Sequence, residues 1–145
     1  MRVPNNRASA PPLGRTACAP TKNLMLRTGI DLIEIERVRG LLERYGRRFL
    51  ERVFTPQEIV ELGDNVASLA GRYAAKEAVA KALGTGIGAV AWREIEILRG
   101  PQREPRLHLH GEAARLAGEL GLQEWSLSIS HSQADAVAIA VAQGE

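Results

Sequence analysis

The sequence predicts a single α+β domain. Three observations lead there. Helical spacing of apolar residues dominates residues 36–83, whereas apolar/polar alternation dominates residues 93–142, so most helices precede most strands. The last two alternating runs flank residues 130–135, a length suited to a hairpin turn. The chain has 145 residues, enough for one domain, and is 45% hydrophobic but only 4% aromatic, so its core must be built of Leu, Val, Ile and Ala.

The elements follow in order. Residues 1–24 hold four of the seven prolines (Pro4, Pro11, Pro12 and Pro20) and show neither helical nor alternating pattern, which predicts a disordered or dispensable leader. A transit peptide shares this basic, acid-poor make-up, but no amphipathic face is present; a misplaced start or a spare tail fits better. The domain proper is expected over residues 25–145. Residues 26–35 form a β-branched strand interrupted by Gly29 and Asp31. Residues 36–53 read as one amphipathic helix with Val38, Leu41, Leu42, Tyr45, Phe49 and Val53 on its buried face. Thr55, Pro56 and Glu58 spell an N-cap, an N1 proline and a capping box for a second helix ending near Gly63. Asp64 or Asn65 caps a third helix that runs to Leu83 and stops at Gly84. After the loop 84–88 come a strand over 93–98, a turn over 100–104, a strand over 106–110 and a short helix over 112–120. Strands over 125–130 and 136–142 complete the chain.

Charge and composition exclude several function classes. The net charge of +2 arises from the leader, whose Arg2, Arg7, Arg15 and Lys22 face no acid. Residues 25–145 are left with 15 basic against 17 acidic side chains out of the chain's 19 and 17, so the basic balance is no argument for nucleic acid. The single cysteine, Cys18, rules out a disulfide framework within the chain and suits a reducing cytoplasm. No apolar run approaches a membrane span.

Glu77 stands out on the third helix. With Val66 at zero and 100° per residue, Leu69, Tyr73, Ala80 and Leu83 lie between about −100° and 0°, while Glu77 lies at about +20° and Lys81 at about +60°. A carboxylate at the edge of a buried stripe needs an ionic partner or a cation. An ordinary Glu77–Lys81 salt bridge at i,i+4 meets that need. So does a metal shared with Asp31, an aspartate where strand propensity disfavours one. Two carboxylates with open positions suit Mg²⁺. Gly84 to Gly88 follow a helix rather than precede one, so the loop is not a P-loop; it is either a C-cap with its connection or a place where a ligand approaches closely. His131 ends a strand among serines, where it is either a turn residue or a phosphate contact. His108 and His110 share a strand face and read as solvent-facing, with no third ligand to complete a zinc set. Arg37, Arg44 and Arg48 form a stripe on the first helix, joined by Arg39, Arg47 and Arg52. Six arginines without a lysine over residues 36–52 favour carboxylate or phosphate recognition, and hence an acidic protein partner.

Taken together, these segments resemble the holo-acyl-carrier-protein synthase family of small phosphopantetheinyl transferases. The resemblance is carried by residues 28–37 (TGIDLIEIER), 54–58 (FTPQE), 71–86 (GRYAAKEAVAKALGTG) and 125–131 (WSLSISH), and it covers residues 25–142. It implies that Asp31 and Glu77 hold Mg²⁺, and that Lys81, Lys76, Arg72, Gly84 and His131 lie against coenzyme A. Glu77, Lys81 and His131 are the implied catalytic groups; Glu77, a water on the metal and His131 are each candidates for the serine's proton acceptor. Arg37, Arg44 and Arg48 would receive an acidic acyl carrier protein. The reaction implied is transfer of 4′-phosphopantetheine from coenzyme A to a carrier serine, releasing adenosine 3′,5′-bisphosphate and serving fatty acid biosynthesis. The resemblance also implies the 4′-phosphopantetheinyl transferase fold, an antiparallel sheet packed against a long helix, and a homotrimer with sites between protomers. Arg27, Tyr73 and Ser132 depart from the family's usual residues, which are small, phenylalanine, and acidic or threonine.

Overall fold

The computed structural model describes residues 23–145; the expectation for residues 1–24 falls almost wholly outside them. Strand β1 (Met25–Glu34) is followed by helices α1 (Ile35–Tyr45), α2 (Arg47–Val53), α3 (Pro56–Leu62) and α4 (Val66–Ala82). A short 3₁₀ turn (Trp92–Glu94) leads into β2 (Ile95–Arg99) and β3 (Pro105–Leu109). Helix α5 (Gly111–Glu119), β4 (Leu122–His131) and β5 (Asp135–Gly144) complete the order. The predicted α+β class holds, with two antiparallel units: a three-stranded sheet ordered β1-β5-β4 and a two-stranded ribbon β2-β3.

The sheet is a floor for α4. Its central strand turns Ala136, Ala138, Ala140 and Ala142 toward the helix, each at most 1% exposed. Alanine is small enough for a helix axis to approach, and two glycines bring it closer still. A Cβ on Gly29 of β1 would collide with the Ala78 carbonyl of α4, and one on Gly71 of α4 would reach 2.8 Å from Ile129 of β4. The hairpin expected at 130–135 is present, closed by Ser132 N–H on Asp135 O at 2.8 Å. The α3 capping box is present as well: Thr55 accepts from Glu58 N–H, and Glu58 accepts from Thr55 N–H.

Three expectations are corrected. The helix over 36–53 is two helices, because Gly46 adopts φ 54°, ψ −128° and ends α1 with its N–H on Leu42 O. Such a left-handed stop is cheap only for glycine. Tyr45, expected on the buried face, is the last residue of α1 and is exposed. Helix α4 has no single buried stripe; it is enclosed by the sheet, α1 and β2, so Arg72 and Lys76 are buried along with its alanines.

Candidate functional site

Alternation in β1 turns Arg27, Gly29, Asp31 and Ile33 toward α4, and the flush contact at Gly29 brings the strand against the second half of that helix. Asp31 then meets Lys81: Nζ donates to Asp31 Oδ1 at 3.1 Å and to Ile30 O at 2.9 Å. The i,i+4 salt bridge back to Glu77 does not form. Glu77 has no hydrogen bond or ion pair among the described residues. Burial pushes its carboxyl up from the ordinary value, and the facing charge of Asp31 adds to that, while Lys81 and Arg37 pull against it. The same neighbours act on Tyr73, whose phenol is raised first by burial and then by Glu77.

Two repelling carboxylates, one of them without a protein partner, make an oxygen donor set suited to a hard divalent cation. Among the described residues no group of three or more His, Cys, Asp or Glu side chains could hold a metal ion, so the pair by itself fits only a cation that takes one or two carboxylates and completes its shell with water and phosphate oxygens, as Mg²⁺ does.

The other expected ligand residues stand apart from this pair. Asp31, Ala138 and Ile129 are in register across the sheet, as are Ile33, Ala136 and His131. Two strand spacings, about 10 Å, therefore separate the edge strands that carry Asp31 and His131. Helix α4 occupies the space between, with Glu77 on the β1 flank and Gly71 against β4. His131 lies exposed on the β4 flank. There it lines a cleft of about 200 Å³ with Ser68, Arg72, Arg99, Arg103 and Pro105. Arg99 and Arg103 went unpredicted; the signal available was two arginines bracketing a Gly-Pro turn.

Arg72 is 5% exposed, donates to Ile97 O and lies 3.4 Å from Glu61, so only its edge faces this cleft. Burial lowers its pKa, while Glu58 and Glu61 oppose the shift. Lys76 is 0% exposed and wholly engaged: Nζ donates to Glu58 Oε1 at 2.7 Å, Ile95 O at 2.6 Å and Trp92 O at 3.1 Å. All three donors of its ammonium are spent, which leaves none for a ligand. The face of Gly84 that lacks a side chain is covered by Arg27.

The arginines split at the Gly46 break. Arg37 and Arg44 are exposed on α1, the second stacked on Tyr45 at 5.3 Å. Arg48 belongs to α2 and, with Arg52, rims an apolar cleft of about 390 Å³. Leu41, Phe49, Tyr73 and Trp92 form its floor, with Tyr73 tilted on Trp92 at 4.6 Å. This cleft abuts the carboxylate pair through Tyr73, one turn before Glu77.

Comparison with known proteins bears on this geometry. The family model described as the 4′-phosphopantetheinyl transferase superfamily matches residues 27–142. A holo-[acyl-carrier-protein] synthase of Herpetosiphon aurantiacus is 50% identical over 127 residues, covering 83% of this chain and all of that protein. The solved holo-[acyl-carrier-protein] synthase of Helicobacter pylori, in complex with coenzyme A, superposes with a TM-score of 0.73 at 36% identity, covering 79% of this chain and 98% of the other. A Bacillus anthracis synthase in complex with coenzyme A (3′,5′-ADP) superposes at 0.68 with 34% identity, over 84% and 99% of the two chains.

Proposed function

Because the chain belongs to the 4′-phosphopantetheinyl transferase superfamily and is an enzyme of the holo-[acyl-carrier-protein] synthase type, we propose that it transfers 4′-phosphopantetheine from coenzyme A to a serine of apo-acyl carrier protein. The observation that carries this reading is the Asp31–Glu77–Lys81 cluster beside an arginine-rimmed apolar cleft. Asp31 and Glu77 hold Mg²⁺, which would neutralise pyrophosphate charge when bound. Lys81, already positioned on Asp31, stabilises the charge that develops as the serine oxygen attacks the β-phosphorus and adenosine 3′,5′-bisphosphate leaves. The cleft takes an apolar side chain of the carrier while Arg37, Arg44 and Arg48 meet its carboxylates. Tyr73, on the wall between cleft and carboxylates, keeps the arriving serine near Glu77.

The cluster is half a site. His131, Arg72, Arg99 and Arg103, whose chemistry suits phosphate, lie on the far flank of α4. A second copy of the chain brings that flank to the first copy's carboxylates, so the sites lie between protomers, in the homotrimer that the family resemblance implies. The outward sheet face supports this: Leu26, Ile30 and Leu32 are each at least 60% exposed, and Ile139 is 40% exposed, in one apolar surface. The serine proton then passes to Glu77 or to a neighbouring copy's His131, and the activity left in His131→Ala separates the two. Modification of the fatty-acid carrier places the enzyme in fatty acid biosynthesis in the cytoplasm. No helix among the described residues is long and apolar enough to cross a membrane.

Mass spectrometry of an apo-carrier after incubation with coenzyme A and this protein tests the reading. A pantetheine-sized adduct that requires Mg²⁺ is expected. Hydrolysis of coenzyme A without an adduct, or no reaction, would sink it.

A further inference from the structure

Arg27 faces α4 from the same side of β1 as Asp31, four residues away, or about 13 Å along the strand. Its Nε donates to Ala82 O at 2.7 Å, a last-turn carbonyl that a helix end leaves without an intrahelical donor. That bond uses one of five N–H donors. Among the described residues Arg27 forms no ion pair, and its two terminal nitrogens have no acceptor. The guanidinium meets Gly84 end-on through Nη2: a Cβ there would come within 2.5 Å of Nη2 and 3.7 Å of Cζ. Gly84 is exposed, so the fork sits at the open end of α4 rather than in the core. Lys81 precedes this point by three residues, and its side chain is 50% exposed.

Charge explains what such a fork is for. Around α4's second half the described side chains contribute Asp31 and Glu77 against Lys81, Arg37 and Arg27, leaving one positive charge before any cation binds. A guanidinium with two parallel free N–H groups matches two oxygens of one phosphoryl group, and Arg27 has no carboxylate to take that place.

We propose that Arg27 is a ligand-binding residue, its terminal N–H pair holding an anionic phosphoryl group of coenzyme A at the exposed end of α4. This deepens the transferase reading and rests on it. The ligand would lie along the flank from the Asp31–Lys81 pair to the Gly84 loop, contacted by a cation at each end. The competing role is structural: Arg27 only closes the carbonyl end of α4, as any cation there would.

Calorimetric titration of coenzyme A into wild type, Arg27→Lys and Arg27→Met, with Mg²⁺ present, separates the two, with thermal melting of each protein alongside. The expected result is about tenfold or more weaker binding for Arg27→Met, with Arg27→Lys in between because it keeps the charge and loses the fork. Wild-type affinity in both variants overturns the proposal, whatever happens to the melting temperature. Where Arg27→Met fails to fold, Arg27→Lys decides alone, and wild-type affinity in it is the overturning result. If the wild-type protein itself does not bind coenzyme A, the transferase reading falls and takes this inference with it, an outcome distinct from an unaffected variant.

Discussion

Glu77 faces Asp31 across the β1–α4 contact, and burial together with that facing charge raises its carboxyl. A bound divalent cation removes the repulsion, so the pair is costly without the ion and favourable with it. Asp31→Ala and Glu77→Ala are each expected to abolish Mg²⁺-dependent transfer while the far-ultraviolet circular dichroism stays that of the wild type. Full activity in both would end the metal assignment. Lys76 is the opposite case, a charge with every donor spent inside the fold. Burial lowers its pKa and Glu58 works against that. Replacing Lys76 with Met strands the Glu58 carboxylate, itself 0% exposed. The expected cost is about 3–5 kcal/mol, read from the urea midpoint. An unchanged midpoint with lost coenzyme A affinity would return Lys76 to the ligand.

At the scale of elements, α4 organises the molecule because it is small-sided where the sheet meets it and charged where β2 and α3 meet it. Its position was legible in the apolar spacing from Val66 to Leu83, in the stop at Gly84 and in the cap at 64–65, where Asn65 accepts from Ser68 N–H. Its all-round burial was not, since a single-face pattern cannot report neighbours on three sides. The break at Gly46 was also missed: apolar spacing continues through it, and only the left-handed backbone there separates α1 from α2. A second junction has a pH signature. Glu96 of β2 accepts from Thr55 Oγ1 at 2.5 Å and lies 3.1 Å from His110 Nε2, tying β2 to the start of α3 and of α5. Burial alone would raise the Glu96 carboxyl, but the hydrogen bonds from Thr55 and His110 outweigh it, and its pKa is lowered overall. A carboxylate more acidic folded than unfolded stabilises above its unfolded pKa, and that stability is lost as pH falls through the folded one. The melting temperature is therefore expected to drop below the ordinary carboxylate range, and Glu96→Gln is expected to flatten that drop. A variant with an equally steep acid limb would contradict the assignment.

For the whole molecule, the decisive feature is that α4 divides the candidate ligand residues between two flanks. One copy cannot bring Asp31 and His131 together, because a strand and a helix stand between them. Ile30 is 60% exposed and makes little of the single-chain core. Ile30→Asp is accordingly expected to leave the monomer's fold intact, shift the sedimentation mass to a single chain, and remove transfer activity. Mixing Asp31→Ala, expected to be inactive alone, with His131→Ala is expected to recover about a quarter of wild-type activity, since random assembly at equal amounts regenerates intact sites at one interface in four. No recovery, with mixed oligomers confirmed by mass, would show that each site is built within one chain.

The sequence by itself determined the order of elements apart from the α1–α2 break, the α3 capping box, the hairpin before β5, and Asp31 and Glu77 as carboxylates needing an explanation. These are local matters: a cap, a turn or an acid in an apolar run is written within a few neighbouring residues. Tertiary structure alone decided that Lys81 serves Asp31 rather than Glu77, that Lys76 is sealed against Glu58, that Arg99 and Arg103 join His131, and that Arg27 lies over Gly84. Each depends on contacts between residues far apart in the chain. Which partner a charge takes is settled by the packing of β1, β4 and β2 around one helix, and that packing has no signature in the spacing along any one of them.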